Sequence, residues 1–171
     1  MHTLSSARLL LTELPLSVVR QRLENANFQA QLNLPGGPLS VAFPPSWPGD
    51  ALPTFPLLLE SGGSTGQFVL IDRSLALAVG LMGSKGGISD QGDLEIGYGL
   101  NPEHWGRGYA TEALRALLPH WRASPGVRRV SAATSVSNVA SARVLEKCGF
   151  VRVGEDWNED DGPLLPWATV S

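Results

Sequence analysis

This chain has little that marks a secreted, membrane-spanning or metal-dependent protein. Its one cysteine, Cys148, allows no internal disulfide, and a reducing cytosol is the simplest home for it. No apolar run approaches the ~18 residues of a membrane span. Arg8 stands near the start without a long apolar stretch behind it, so no signal peptide is expected. His2, His104 and His120 lie apart from any cysteine or acid cluster with ligand spacing, and no metal site is expected. Positive charge is not in excess: the formal net charge of −3 argues against a general nucleic-acid binder. Gly-Lys-Ser/Thr does not occur, which excludes a Walker loop.

What is present fits one domain over residues 1–171, with 43% hydrophobic and 17% charged residues, as in an ordinary soluble globular protein. Charge is unevenly spread. Residues 103–152 hold eight Arg or Lys against three Glu, whereas residues 153–171 hold five acids and no base. That acidic tail (Glu155, Asp156, Glu159, Asp160, Asp161) is either a solvated segment or an attractor for a cationic amine.

Strands and helices alternate. Ala7 to Thr12 reads as a strand and Pro15 to Ala26 as a helix with Pro15 near its first turn. Residues 35–56 carry seven of the thirteen prolines, which interrupts regular structure. Gln67 to Asp72 and Leu75 to Ser84 read as paired strands around Asp72-Arg73-Ser74. Gly92 to Leu100 is the next strand, and Gly97 and Gly99 in it mark a bulge or the close approach of another group. Leu114, Leu117, Leu118 and Trp121 follow helical spacing. Val127 to Ala133 is a strand, and Asn138 to Lys147 a helix closed by Gly149 with Phe150 packing back. Phe150 to Gly154 and Leu164 to Val170 complete about seven strands in a mixed sheet covered by helices.

Between the Gly-bearing strand and the Leu114 helix lies Trp105-Gly106-Arg107-Gly108-Tyr109-Ala110-Thr111. A glycine-punctuated turn opening a helix aims backbone N–H groups at an anion, and two positions without Cβ let a phosphate approach closely. It is no dinucleotide fingerprint: Thr111 fills the sixth position, and no Asp or Glu occurs between Glu112 and Glu146, where the ribose acid belongs.

The turn resembles the acyl-coenzyme A motif Q/R-x-x-G-x-G/A of the GNAT N-acetyltransferases, with Trp105 in place of Gln or Arg. The longer string WGRGYATEAL is similar to the branch that contains the ribosomal-protein alanine N-acetyltransferases. Asn138-Val139-Ala140-Ser141 followed by Leu145-Glu146-Lys147-Cys148-Gly149-Phe150 resembles that family's N-x-x-S/A…E-K-x-G-F segment. The resemblance spans Leu94 to Gly154. It implies an α/β (α+β) fold, the GNAT fold: a mixed, mostly antiparallel sheet of about seven strands with about four helices. It places the acetyl-CoA core at 92–154 and the acceptor side at 13–60.

The resemblance further implies an acetyl-CoA-dependent N-acetyltransferase acting on a primary amine by direct attack, without a metal. Gly106, Arg107, Gly108, Tyr109, Ala110 and Thr111 are the expected pyrophosphate cradle, Gly99 and Leu100 the backbone contacts to the pantetheine arm and thioester, and Asn138 a pantetheine ligand. Glu95 is the expected general base; a surface ion pair is the plainer role for it. The usual general-acid Tyr falls at Leu145, which donates no proton, and Ser141 is the replacement. For Asn138 the plainer role is helix capping. His104 reads as an incidental loop residue, with a base as its rival role, Cys148 as a small buried hydrophobe rather than an acyl carrier, and Trp47, Trp157 and Trp167 as core or interface residues. Trp47 is also the one with a place in the acceptor pocket. The acceptor is a protein N-terminus or a small amine, and many members of the family pair as dimers. The rival reading keeps the cradle and loses the chemistry: a non-catalytic acyl-CoA-binding or interaction module.

Overall fold

Apolar residues recur at two periods along this chain, and the elements follow them. The computed structural model describes residues 3–170. In chain order it contains β1 (Thr3–Ser5), β2 (Leu9–Glu13), α1 (Leu16–Glu24), β3 (Phe28–Leu34), β4 (Gly37–Phe43), a 3-10 turn (Gly49–Thr54), α2 (Phe55–Ser61), β5 (Gln67–Asp72) and β6 (Leu77–Ser84). Then follow β7 (Asp93–Leu100), a 3-10 turn (Pro102–His104), α3 (Tyr109–Arg122), β8 (Arg129–Ser135), α4 (Val139–Lys147), β9 (Phe150–Arg152), β10 (Asp156–Asn158) and β11 (Gly162–Thr169). The chain divides into two compact units, one of Met1–Gly83 with Tyr98–Ala113, the other of Ser84–Gly97 with Leu114–Ser171.

In the first unit β1, β2, β5 and β6 run antiparallel in that order, and β7 follows β6. The β3–β4 hairpin joins β6 through one parallel bridge, Ala42 to Leu77. Val18 and Val19 of α1, Val41 and Phe43 of β4, Val69 and Ile71 of β5, and Leu81 of β6 share one core. Each such side chain contributes roughly 1.5–3 kcal/mol of apolar burial. Trp47 and Phe55 extend that core as an edge-to-face pair with ring centroids 5.6 Å apart.

In the second unit the first residues of β7 pair in parallel with β8, Glu95 standing opposite Ser131. Parallel neighbours need a crossover, and α3 supplies it. β8 then pairs antiparallel with β11, which also carries β9 and β10. On α3 the spacing of Leu114, Leu117, Leu118 and Trp121 does what it predicts: all four are buried.

Eleven strands occur among the described residues, not about seven. Of the four extra ones, β1 and β10 are three residues long, too short to show a period. The β3–β4 hairpin differs. Phe28, Ala30, Leu32 and Leu34 alternate strictly with Gln29, Gln31 and Asn33, and the prolines of 35–56 hide a real strand, since Pro35 and Gly36 form the turn and Pro38 sits at the strand's beginning. The expected helix from Pro15 begins at Leu16, Pro15 being its N-cap.

Candidate active site

β7 is the element on which the site is built. Leu94 and Ile96 are buried and Glu95 between them is exposed, as a period of two requires. The Glu95 carbonyl accepts the Lys85 N–H at 2.7 Å, while no ion pair of the Glu95 carboxylate occurs among the described residues. Its neighbour Asp93 is engaged: Arg129 lies 3.4 Å away and the Ser131 hydroxyl donates at 3.0 Å.

Toward its far end β7 enters the first unit, where the chain passes other backbone closely. A Cβ on Gly80 would meet the Gly99 carbonyl at 2.5 Å, and the Gly80 carbonyl itself accepts the Trp47 indole N–H at 3.0 Å. Gly49, with φ +65°, leaves only 3.2 Å between its own Cβ position and the Leu100 carbonyl. The same carbonyl accepts the Trp105 indole N–H at 3.0 Å. Gly97 marks a close approach, that of the Lys85 stem, and a bulge between paired strands lies at Leu70/Ile71. Beyond β7 the Asn101 amide donates to Ala78 O at 2.9 Å, but its buried Oδ1 has no protein partner, nor has Nδ1 of buried His104. His104 is not an incidental loop residue: it is buried, with its ring edge-to-face on Tyr109 at 6.2 Å.

The cradle follows. Gly106 and Gly108 have φ of +75° and +80°, a region that costs an L-residue with a Cβ about 1–2 kcal/mol. Space is open around the Cβ position of Gly106, with nothing within 4 Å. α3 begins at Tyr109, so the N–H groups of its first turn have no intrahelical acceptor and carry the positive end of the helix dipole. Such a turn favours an anion.

Four side chains hold the turn in place. The Tyr109 hydroxyl donates to Asp72 Oδ2 at 2.5 Å, and the Arg8 guanidinium lies 4.5 Å from the Tyr109 ring centre. Arg8 also pairs with Glu112 at 2.8 Å through Nε, and its backbone N–H donates to the same carboxylate. Burial opposes the charge of Asp72, but the bonds from Tyr109, Ser74 and Leu75 outweigh it and hold its pKa below the ordinary carboxylate value. The bond to Asp72, with burial added, raises that of Tyr109. Glu112 is held low in the same way as Asp72, the bonds from Ser6 and Arg8 overcoming burial.

In the second unit Asn138 caps α4: its Oδ1 accepts the Ser141 N–H at 3.1 Å. Both the capping role and an exposed amide nitrogen are thus present. Ser141 is half-buried on the first turn. Leu145, one turn further, is fully buried, so the position expected to carry a phenol belongs to the core. Gly149 takes φ +87° behind the half-buried Cys148, whose thiol burial pushes up in pKa, and Phe150 is buried.

The sequence-predicted residues therefore fall in two groups: Gly99, Leu100 and 106–111 in the first unit, Glu95, Asn138 and Ser141 in the second. Trp47 is fully buried, and Trp167 is buried with its indole N–H on Thr134. Trp157, at 62% exposure, is no core residue, which leaves the interface half of its expectation. His2 lies outside the described residues. Arg8, Asp72, Gly80, Lys85 and Asn101 escaped sequence reasoning, since each works through a partner distant along the chain. Among the described residues no three His, Cys, Asp or Glu side chains gather as metal ligands, and no helix is long and apolar enough to cross a membrane.

The family model for the acetyltransferase (GNAT) domain matches residues 52–151, more than half of the chain. The chain belongs to the GNAT acetyltransferase family. An N-acetyltransferase of Bacillus licheniformis, p20, is 29% identical over 109 residues, 63% of this chain and 61% of that protein. The ribosomal-protein-serine acetyltransferase of Escherichia coli is 38% identical over 60 residues, 35% of this chain and 34% of that one. The chain thus spans about three fifths or less of these two relatives. The ribosomal-protein acetyltransferase RimL, solved with coenzyme A, is 19% identical over 99% of this chain and 98% of its own, with a TM-score of 0.66. The fold is accordingly the mixed α/β GNAT fold, with four α-helices and a mostly antiparallel sheet among the described residues.

Proposed function

We propose that this protein is an N-acetyltransferase that moves the acetyl group of acetyl-CoA to a primary amine by direct attack. The observation that carries the reading is the positive-φ pair Gly106 and Gly108 opening α3, directly after the strand that presents Glu95. Bound acetyl-CoA supplies an activated thioester. The N–H groups of Gly106, Arg107, Gly108, Tyr109, Ala110 and Thr111 would hold its pyrophosphate, and the backbone of Gly99 and Leu100 would position the acyl arm, joined by the Asn138 amide.

Glu95 takes the proton from the ammonium form of the acceptor, directly or through water, because only the neutral amine is nucleophilic. A backbone donor at the end of β7 offsets the charge that builds on the acyl oxygen. As the C–N bond forms, the C–S bond breaks and the thiolate leaves. Ser141 hydrogen-bonds the sulfur or orients the water that returns its proton. Leu145 keeps the phenol of other family members out of that role.

The names of the ribosomal-protein relatives support a protein N-terminus as acceptor, and a small amine is the other candidate. The test is mass spectrometry of peptides with Ala, Ser or Met at the N-terminus, of spermidine and of an aminoglycoside after incubation with acetyl-CoA. Acetylated product with any amine supports the reading. Tight acetyl-CoA binding with no acetylated product would make the protein a binding module.

A further inference from the structure

Gly97 lies two residues beyond Glu95 on the same face of β7, roughly 7 Å along the strand. That face is bare at Gly97, and one side chain lies across it. A Cβ at Gly97 would stand 2.6 Å from Lys85 Cε, so the lysine stem runs over the glycine toward the Glu95 face. Lys85 is itself exposed, and its backbone N–H is bonded to the Glu95 carbonyl, which fixes where the stem starts. Neither Lys85 nor Glu95 is ion-paired with the other or with any described residue. A carboxylate and an ammonium thus share one strand face, separated by a glycine and uncommitted.

We infer that Lys85 is a specificity residue: its ammonium receives a carboxylate that the acceptor carries close to the amine delivered to Glu95. The inference rests on the acetyltransferase reading and names its substrate class, a primary amine with a neighbouring carboxylate. An ammonium beside the attacking nitrogen disfavours polycations such as spermidine. Three of the five acids of the tail are already engaged. Glu155 is paired with Arg152 at 3.2 Å, Asp156 accepts the N–H of Trp157, and Asp161 is held in the turn by Asn158. Two sources offer the same chemistry: a free amino acid, or a peptide N-terminus followed by an acidic residue.

The experiment compares kcat/KM for peptides beginning Ala-Glu, Ala-Ala and Ala-Lys, with free alanine, alaninamide and spermidine beside them. The native protein prefers Ala-Glu over Ala-Lys by about tenfold or more, chiefly through KM, as expected for a charge-assisted contact. Preference for alanine over alaninamide instead identifies the free amino acid as the source. Lys85→Glu reverses the acid-to-base order. Gly97→Ala, which puts a methyl group where the stem lies and leaves the charge in place, narrows it. A merely structural Lys85 would change all acceptors alike and leave the ratio unmoved. An unchanged ratio in Lys85→Glu overturns the inference while transfer itself stands. Absence of transfer to every amine, from protein that binds acetyl-CoA, overturns the transferase reading and this inference with it.

Discussion

Tyr109 and Asp72 form the contact that fixes the start of α3, and their protonation ties stability to pH at both ends of the scale. Asp72 has a lower pKa folded than its unfolded value near 3.9, so its contribution is complete above about pH 4 and is lost as pH falls through the depressed value. Tyr109 has a raised pKa, so its contribution is present below about pH 10 and is lost as pH rises through the raised value. Tyr109→Phe removes the shared bond, costs about 1–3 kcal/mol and shrinks both the alkaline and the acid loss. Urea midpoints measured across pH check this, and an unchanged profile would contradict it. Glu95→Gln lowers turnover by roughly 10²–10⁴-fold if Glu95 is the base, and a loss below about tenfold removes it from that role. At this scale the sequence was legible where the chemistry is local. The exposure of Glu95 follows from its flanking Leu94 and Ile96, and the cap at Asn138 from its place before α4. The partners of Arg8 and Asp72 lie far away along the chain, beyond any spacing rule.

Among the elements, the glycine turn before α3 carries the most consequence. Gly106→Ala meets no neighbouring atom, so its effect is confined to the backbone: a strain of about 1–2 kcal/mol and a turned-away donor. A lost bond to a charged group is worth about 1.5–3 kcal/mol, so acetyl-CoA affinity falls roughly ten- to a hundredfold while the fold survives. Calorimetry with acetyl-CoA checks it, and unaltered affinity would exclude Gly106 from the cradle. Gly80→Ala acts differently, since its methyl group meets the Gly99 carbonyl, a backbone atom that has to move. It lowers both stability and turnover through a backbone shift, where Gly106→Ala costs stability only its own backbone strain. The long periodic elements, α3 above all, were readable from apolar spacing. The β3–β4 hairpin was equally periodic, but counting prolines over 35–56 outweighed its alternation, although Pro38 sits harmlessly at a strand's beginning. β9 and β10 are three residues each and owe their pairing to β11.

For the whole molecule, two motifs in order carry the family, and the family model extends the match upstream to residue 52. The segment before it, which holds α1 and the β3–β4 hairpin, lies outside that match, and the acceptor is the least legible part of the function for that reason. Charge gives the remaining guide: the excess of Arg and Lys over 103–152 suits a phosphate-bearing cosubstrate. The most direct measurement is steady-state release of free thiol from acetyl-CoA by the purified protein, with and without amine. The account predicts release that requires an amine and continues over many turnovers. Acetyl-CoA bound but never consumed, whatever amine is present, would contradict it.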